Sequence, residues 1–330
     1  VAAAHVREPV YRFVRERRAQ PIVHFRGPVE LEWNRVDLEV PGLPDGLAGL
    51  RILHLTDLHF RPHWSRGYDR IIERVNADPP DLLVMTGDFV DQKHAQADPA
   101  IRFVRRFFEP MRAKLGAFAI FGNHDYRLLN RWGKHLAGKG VIADEPWARP
   151  KQVRRPIEEG GSQRLHMKAD DHVVRTPLPP LIRGQRMFGM RMLENERVVV
   201  EHNGAAVELV GFRGTERPHF DMEFLAEVPA KQKDAVRIVL SHHPDNVRLL
   251  KRLRADVVLS GHTHGGQICL PGRRALITHD TLPKKCCAGV HRWEDSWLVI
   301  SRGLGFSTIP MRVFCPPEIL DVRLTRVAGK

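Results

Sequence analysis

One pattern recurs along the chain: a short apolar run that stops abruptly at a polar cluster. Residues 51–56 (RILHLT) run into Asp57 and His59, and residues 82–86 (LLVMT) run into Gly87 and Asp88. Residues 117–121 (AFAIF) lead to Gly122, Asn123, His124 and Asp125, residues 236–241 (VRIVLS) meet His242 and His243, and residues 257–260 (VVLS) meet Gly261, His262, Thr263 and His264. Runs this short, without the alternation of a half-exposed strand, predict buried strands of an α/β sheet. Apolar positions at helical spacing lie between them: Ile71, Ile72 and Val75; then Ile101, Val104, Phe107, Phe108, Met111 and Leu115; then Val247, Leu250 and Leu253 after a start signal at Pro244 and Asp245. The repeating unit is strand, polar loop, helix. Because ligands of open α/β sheets collect outside the carboxyl ends of the strands, five such loops predict one shared crevice.

Elsewhere the pattern changes. Residues 198–202 and 205–210 flank Asn203-Gly204, a strong hairpin signal, and a second antiparallel pair is expected between 297–301 and 319–324. Between about 143 and 190 periodicity gives way to Pro146, Pro150, Pro156, Pro177, Pro179 and Pro180 with many arginines, which reads as a long insertion or lid, or as a solvated loop. Within it, the mixed apolar and arginine stretch 177–193, with Leu181, Ile182, Met187, Phe188 and Met190, could shelter acyl chains or pack as an ordinary surface insertion. Residues 1–28 form a basic segment ahead of one domain over 29–330. In it, Arg7, Arg12, Arg15, Arg17 and Arg18 surround Val10, Phe13 and Val14, which predicts a basic helix at an anionic membrane surface, or a solvated terminal helix.

Composition narrows the chemistry. With 42% hydrophobic residues in 330, a sizeable core can form. Lys and Arg number 52 against 39 Asp and Glu, a net charge of +13, so anionic partners are favoured: phosphates, nucleic acid or an acidic membrane. The 4 cysteines form no CxxC pair, which suggests a reducing compartment, and the 18 histidines make imidazole and carboxylate the expected metal ligands. No window reaches the roughly 20 apolar residues of a membrane span. The expected location is the cytoplasm or the periphery of the cytoplasmic membrane, and a start at Val1 leaves room for a targeting or transmembrane segment upstream.

Asp57 and His59 sit two apart on one loop and can face one ion, while Asp88 adds a carboxylate able to bridge two. Asn123 offers an amide oxygen, and His242, His262 and His264 add three imidazoles. Seven oxygen and nitrogen donors exceed one tetrahedral zinc site but suit two ions sharing a ligand. Such a centre, about 3.5 to 4 Å across, is the usual apparatus for phosphoryl hydrolysis. Asp-x-His alone is weak and GDFVD moderate, since both also occur at caps and turns; GNHD and GHTHGG are sharper because glycines let the backbone turn tightly beside the ligands.

In order, DLH, GDFVD, GNHD, SHHP and GHTHGG resemble the calcineurin-like metallophosphoesterase superfamily over about residues 50–324. The stretches GNHDY, GHTHGGQICLP and SRGLGFSTIPMRVFCPPEI look like its bacterial YkuE/YaeI-type phosphodiesterase branch, often membrane-associated; an insertion at 143–190 is unusual there. The resemblance implies a four-layer α/β/β/α sandwich of two mixed sheets with the metal site at strand carboxyl ends. One ion would be held by Asp57, His59, Asp88 and His264, the other by Asp88, Asn123, His242 and His262. His124 would lie near the scissile phosphate, and Asp91 resembles the carboxylate that orients it; His243 receives no role. Protein Ser/Thr phosphatases follow the second Asp of GDFVD with Arg and Gly, whereas Gln92 and Lys93 stand here, which disfavours phosphoproteins.

The expected reaction is hydrolysis of a phosphodiester or pyrophosphate, in a small, nucleotide-linked or lipid-linked substrate at the membrane. Two divalent ions, Mn2+ first and Fe, Zn2+ or Co2+ as alternatives, would lower a bridging water's pKa toward about 7, with no covalent enzyme intermediate. His124 would protonate the leaving oxygen. Arg302 and Arg312, beside Gly303 and Gly305, are candidates for a substrate phosphate, with surface solubility as the plainer role. A two-metal nuclease is the second enzyme reading, opposed by only 7% aromatics and no stacking platform. A non-catalytic binding module of the same fold should lack ligands, and none is missing. Oligomeric state is not legible.

Overall fold

The computed structural model describes residues 8–15, 22–25, 30–61, 64–90, 97–125, 186–214, 220–278, 280–307 and 309–327. The apolar runs become strands of two facing sheets. The first has eight strands in the order β1 (Tyr11–Arg15), β3 (Glu32–Val40), β18 (Glu318–Arg326), β4 (Arg51–Leu55), β5 (Leu82–Met85), β6 (Gly116–Ala119), β8 (Met190–Met192) and β7 (Arg186–Met187). Its centre, β4, β5, β6 and β8, is parallel, and β18 runs antiparallel against β4. The second has six: β15 (Gly289–Trp293), β16 (Ser296–Ile300), β12 (Val257–Ser260), β11 (Ala235–Leu240), β10 (Ala205–Gly211) and β9 (Glu196–His202). Two small ribbons, β13 (Cys269–Leu270) with β14 (Arg274–Ala275) and β2 (Val23–Phe25) with β17 (Met311–Val313), complete it.

Alternate residues of each central strand feed different cores, which is why these runs are apolar throughout. Ile52, Leu82 and Val84 of the first sheet meet Ile238, Leu240, Val257 and Leu259 of the second. The intervening positions Leu53, Leu55, Leu83 and Met85 turn outward under α1 (Arg66–Ala77) and α2 (Ala97–Phe108), against Tyr68, Ile71, Val75, Val104, Phe107 and Phe108. Val239, Val258, Leu298 and Ile300 pack on the far side of the second sheet under α3 (Met222–Glu227) and the residues of two 3-10 turns. The layers are therefore helix, sheet, sheet, helix, as expected. Ser65 starts α1 by accepting the Gly67 N–H on its Oγ at 3.1 Å.

Several expectations are corrected. The 297–301 and 319–324 runs do not pair: β16 joins β12 and β15, while β18 joins β3 and β4. Their inner residues Trp297, Val299, Leu320 and Val322 instead meet face to face in the core between the sheets. The α2 helix stops at Phe108 because Pro110 bars continuation, and Met111 and Leu115 pack from the connection to β6. Val247, Leu250 and Leu253 lie on 3-10 turns, Pro244–Arg248 and Leu250–Leu253, since the chain must enter β12 at Val257. At the N-terminus, Tyr11–Arg15 is a strand antiparallel to β3 rather than a helix. Met187 and Met190, offered for acyl chains, are buried in the core beneath α2, and Phe188 packs on it. Leu181, Ile182 and the insertion up to residue 185 lie outside the described residues.

One polar pair is buried in this framework: Arg237 on β11 donates through Nε to Glu208 Oε2 on β10 at 2.6 Å, and to the carbonyls of Leu253 and Pro229. Removing the guanidinium would leave Glu208 to Arg197 and the Gln232 N–H alone and would orphan the Leu253 and Pro229 carbonyls. Arg237→Ala is expected to cost about 3 to 5 kcal/mol, read from urea unfolding, whereas a cost below 1 kcal/mol would mean that the pair carries no structural weight.

Candidate metal centre

All five strand-end loops converge where the carboxyl edges of the two sheets meet. Asp88 sits at the middle: its Oδ2 lies 3.3 Å from His59 Nε2 and 3.3 Å from His242 Nε2. On one side, His264 Nε2 stands 3.1 Å from His59 Nε2 and 3.4 Å from Asp57 Oδ1. On the other, Asn123 Oδ1 stands 3.1 Å from His242 Nε2 and 3.2 Å from His262 Nδ1. The seven side chains thus form two groups sharing Asp88. His124 is half-buried beside the first, its ring edge-on to His59 with centroids 4.7 Å apart.

The donor set fits two cations. Asp57 and Asp88 are buried, and their ion-pair partners among the described residues are histidines, never Lys or Arg. Imidazole nitrogens face one another and the carboxylates across the same small volume, which cations resolve by taking the lone pairs of both. His242 is oriented by its Nδ1–H, which donates to Thr86 O at 2.7 Å, so that Nε2 faces Asp88 and Asn123.

Electrostatics divide the cluster. Burial raises the Asp57 pKa, and Asp88 adds to this while His242 and His59 oppose it. Burial also opposes the Asp88 charge, but His242 and His124 outweigh it and hold that carboxyl well below its usual range. For His242 burial acts downward, yet the Asp88 and Asp57 carboxylates lift it to about 9. Burial, His59 and Arg312 push His264 well below the ordinary imidazole value, leaving it neutral and ready to donate a lone pair.

Backbone geometry is forced at the same place. Asp57, His59, Asp88, His262 and His264 all have left-handed φ, between 42° and 68°. Such positions cost of order 1 kcal/mol or more each and persist only where surroundings hold them. Asp57 Oδ2 accepts the His262 N–H at 2.9 Å and the Thr56 hydroxyl at 2.8 Å, tying the end of β4 to the end of β12. A Cβ on Gly122 would collide with the Asp88 carboxylate, and one on Gly261 with the Thr56 hydroxyl and the Asp57 carboxylate, so only glycine permits these approaches.

Asp125, not singled out from sequence, is the hidden clamp. Its carboxylate accepts the N–H groups of Asp88 at 2.7 Å, Phe89 at 2.9 Å and Gly122 at 2.8 Å, locking the β5 and β6 loops together. Burial and Asp88 push it up to about 8, against the Gly122 and Asp88 N–H groups and the His242 charge. The final letter of GNHD was the available signal. His243 was also passed over; it is buried with its ring 3.9 Å from that of His262.

Arg302 and Arg312 are not surface groups: both are buried. Arg302 Nη2 donates to Glu32 at 2.8 Å and Glu318 at 2.6 Å. Arg312 donates to the carbonyls of Arg302 and Gly305 at 2.7 and 2.6 Å and lies 3.2 Å from His264 Nδ1. Each holds the backbone behind the centre. Asp91, Gln92 and Lys93 lie outside the described residues.

Comparison with known proteins agrees with this geometry. Residues 50–266 match the family model described as calcineurin-like phosphoesterase. UDP-2,3-diacylglucosamine pyrophosphatase LpxG of Chlamydia muridarum is 29% identical over 311 residues, 90% of each chain. Uncharacterized metallophosphoesterase YkoQ of Bacillus subtilis is 27% identical across 83% of this chain and 84% of its own. Phosphodiesterase YaeI of Escherichia coli is 25% identical across 85% and 84% respectively.

Two outcomes follow from the geometry. In the metal-free chain His242, raised to about 9, contributes stability that is complete below its unfolded value of 6.5 and is lost as pH rises through 9. A cation must displace that proton, so calorimetry in buffers of different ionisation enthalpy at pH 7 should show release of about one proton per chain, and metal affinity that climbs with pH. No proton release would contradict the arrangement. Arg312→Lys should lower metal content and weaken metal affinity by about tenfold or more. An unchanged metal content with a raised KM would instead return Arg312 to the substrate.

Proposed function

The chain belongs to the calcineurin-like phosphoesterase family, and from that premise we propose that it hydrolyses a phosphodiester or pyrophosphate bond in a lipid-linked or nucleotide-linked substrate at a membrane surface. The observation carrying this is Asp88, with one carboxylate oxygen 3.3 Å from an imidazole of each ligand group. Asp57, His59, Asp88 and His264 would hold one ion and Asp88, Asn123, His242 and His262 the other, with Mn2+ the favoured metal. Bound there, the pair would supply activated water and neutralise charge on the phosphate.

The protein's own groups do the rest. The His124 backbone N–H donates to Asp88 Oδ1 at 2.9 Å, which seats its imidazole at the rim, where it can give a proton to the leaving oxygen. Asp91 would orient that ring. Arg312 and Asp125 keep the ligand loops in place without touching substrate. Support for a lipid-linked pyrophosphate comes from the likeness to LpxG, whose name specifies a diacylglucosamine nucleotide, and support for diester chemistry from the likeness to YaeI. Among the described residues no helix is long and apolar enough to cross a membrane.

Metal-reconstituted protein should hydrolyse bis-p-nitrophenyl phosphate and cleave UDP-2,3-diacylglucosamine to two phosphomonoesters, while single- and double-stranded DNA stay intact. Cleavage of DNA alone would replace this reading with a nuclease. His124→Asn should reduce kcat by about a hundredfold to ten-thousandfold, and Asp91→Asn should reduce it less, both with metal content unchanged. Loss of metal in either variant would make that residue part of the ligand shell.

A further inference from the structure

Of the ten large apolar side chains exposed to solvent among the described residues, Val10, Tyr11 and Phe13 lie at the first strand and Met222 on α3, while the other six belong to segments that pair with one another. Ile22, Phe25, Leu270, Leu276, Ile277 and Ile309 are each between 43% and 65% exposed. They come from three distant segments that the fold binds into one surface. Phe25 on β2 pairs with Met311 on β17, and Ile22 O accepts the Phe314 N–H at 3.0 Å. Ile268 bridges Val313 and accepts the Leu276 N–H at 3.4 Å, while Leu270 pairs with Arg274 across the β13–β14 ribbon. Gln267 joins Ile309 to this group, its Nε2 donating to Ile309 O at 2.8 Å. Gln267 stands three residues beyond His264, so the apolar face grows directly out of the metal-centre loop.

Its border is basic. From Ile268 to Lys285 the chain carries Arg273, Arg274, Lys284 and Lys285 against one acid, Asp280. Arg273 is engaged with Glu32, but Arg274, Lys284 and Lys285 are exposed, and Lys284 Nζ donates to Leu276 O at 2.7 Å, inside the apolar group. Arg274 and Lys285 also line, with Phe13 of β1, a cavity of about 430 Å3. An apolar face of this size rimmed by one sign of charge is a surface for a partner of matching chemistry, apolar beneath a layer of negative charge.

We propose that this face docks the protein on an anionic lipid bilayer: the six apolar side chains enter the headgroup boundary, and Arg274, Lys284 and Lys285 meet the lipid phosphates. The inference rests on the lipid-linked reading for its purpose, since docking there would hold the protein on the surface that carries a lipid-borne phosphate. It stands on geometry that the reading does not supply.

The test is flotation of the full, metal-reconstituted chain with phosphatidylglycerol–phosphatidylcholine vesicles and with pure phosphatidylcholine vesicles. The protein should float with the anionic vesicles and release at high salt. Ile277→Glu should lower the bound fraction about tenfold and Lys285→Glu about fivefold, both with unchanged circular dichroism and unchanged hydrolysis of bis-p-nitrophenyl phosphate. Flotation of both variants like the parent, or equal binding to neutral vesicles, would overturn the proposal. So would a sedimenting dimer that Ile277→Glu dissociates without any vesicle binding, since the face would then belong to a second copy. Variant-sensitive flotation without cleavage of UDP-2,3-diacylglucosamine would defeat the lipid-linked reading and leave the docking face standing.

Discussion

The architecture turns on two carboxylates, Asp57 and Asp88, buried among imidazoles with no Lys or Arg paired to them among the described residues. A low-dielectric interior tolerates such charge only when something positive compensates it. In the metal-free chain a proton on His242 does part of this, which is why that ring titrates so high. Two divalent cations held by these residues would do it more completely, and would supply the field that activates water and neutralises a phosphate. Stability and catalysis therefore draw on the same unbalanced charge.

That charge needs a rigid mount. Five of the seven candidate ligands occupy left-handed backbone, an arrangement that survives because hydrogen bonds cross between the loops. Asp125 gathers three N–H groups from two loops, and Asp57 receives the His262 N–H from the opposite sheet. Behind them a buried ionic group extends the support: Arg302 bonds Glu32 of β3 and Glu318 of β18, and Arg273 bonds Glu32 at 2.6 Å. Arg273 and Arg302 overcome the burial that would protonate Glu32 and hold it near about 2. The loop after β12, the strand β3 and the C-terminal strand are thereby bound to one another directly behind His264.

With Arg302 and Arg312 committed inward, Arg274, Lys284 and Lys285 are exposed cations on the β13–β14 ribbon and the following turn, set among apolar residues. Bulk net charge of +13 says nothing about such placement, because a uniformly basic surface and a basic rim around an apolar face have the same sum.

Local pattern carried much of the outcome. Apolar runs that stop at Asp57, Asp88, Asn123, His242 and His262 marked both the central strands and the candidate ligands, because a strand buried on two faces must be apolar until the chain leaves the sheet. The hairpin at Asn203-Gly204 was equally legible, since its turn chemistry is contained in two residues. Partnership was not. That β16 and β18 face each other across a core rather than pair, that Tyr11–Arg15 forms an edge strand, and that Arg302 and Arg312 point inward all depend on partners in other segments of the chain, as far apart in sequence as Arg302 and Glu32. An apolar run specifies burial without naming what covers it, and a guanidinium suits a buried carboxylate as well as a phosphate. Sequence alone determined which atoms could bind metal and that they lie at strand ends; only the tertiary structure decided which side chains meet them, because that choice is made by distance in space.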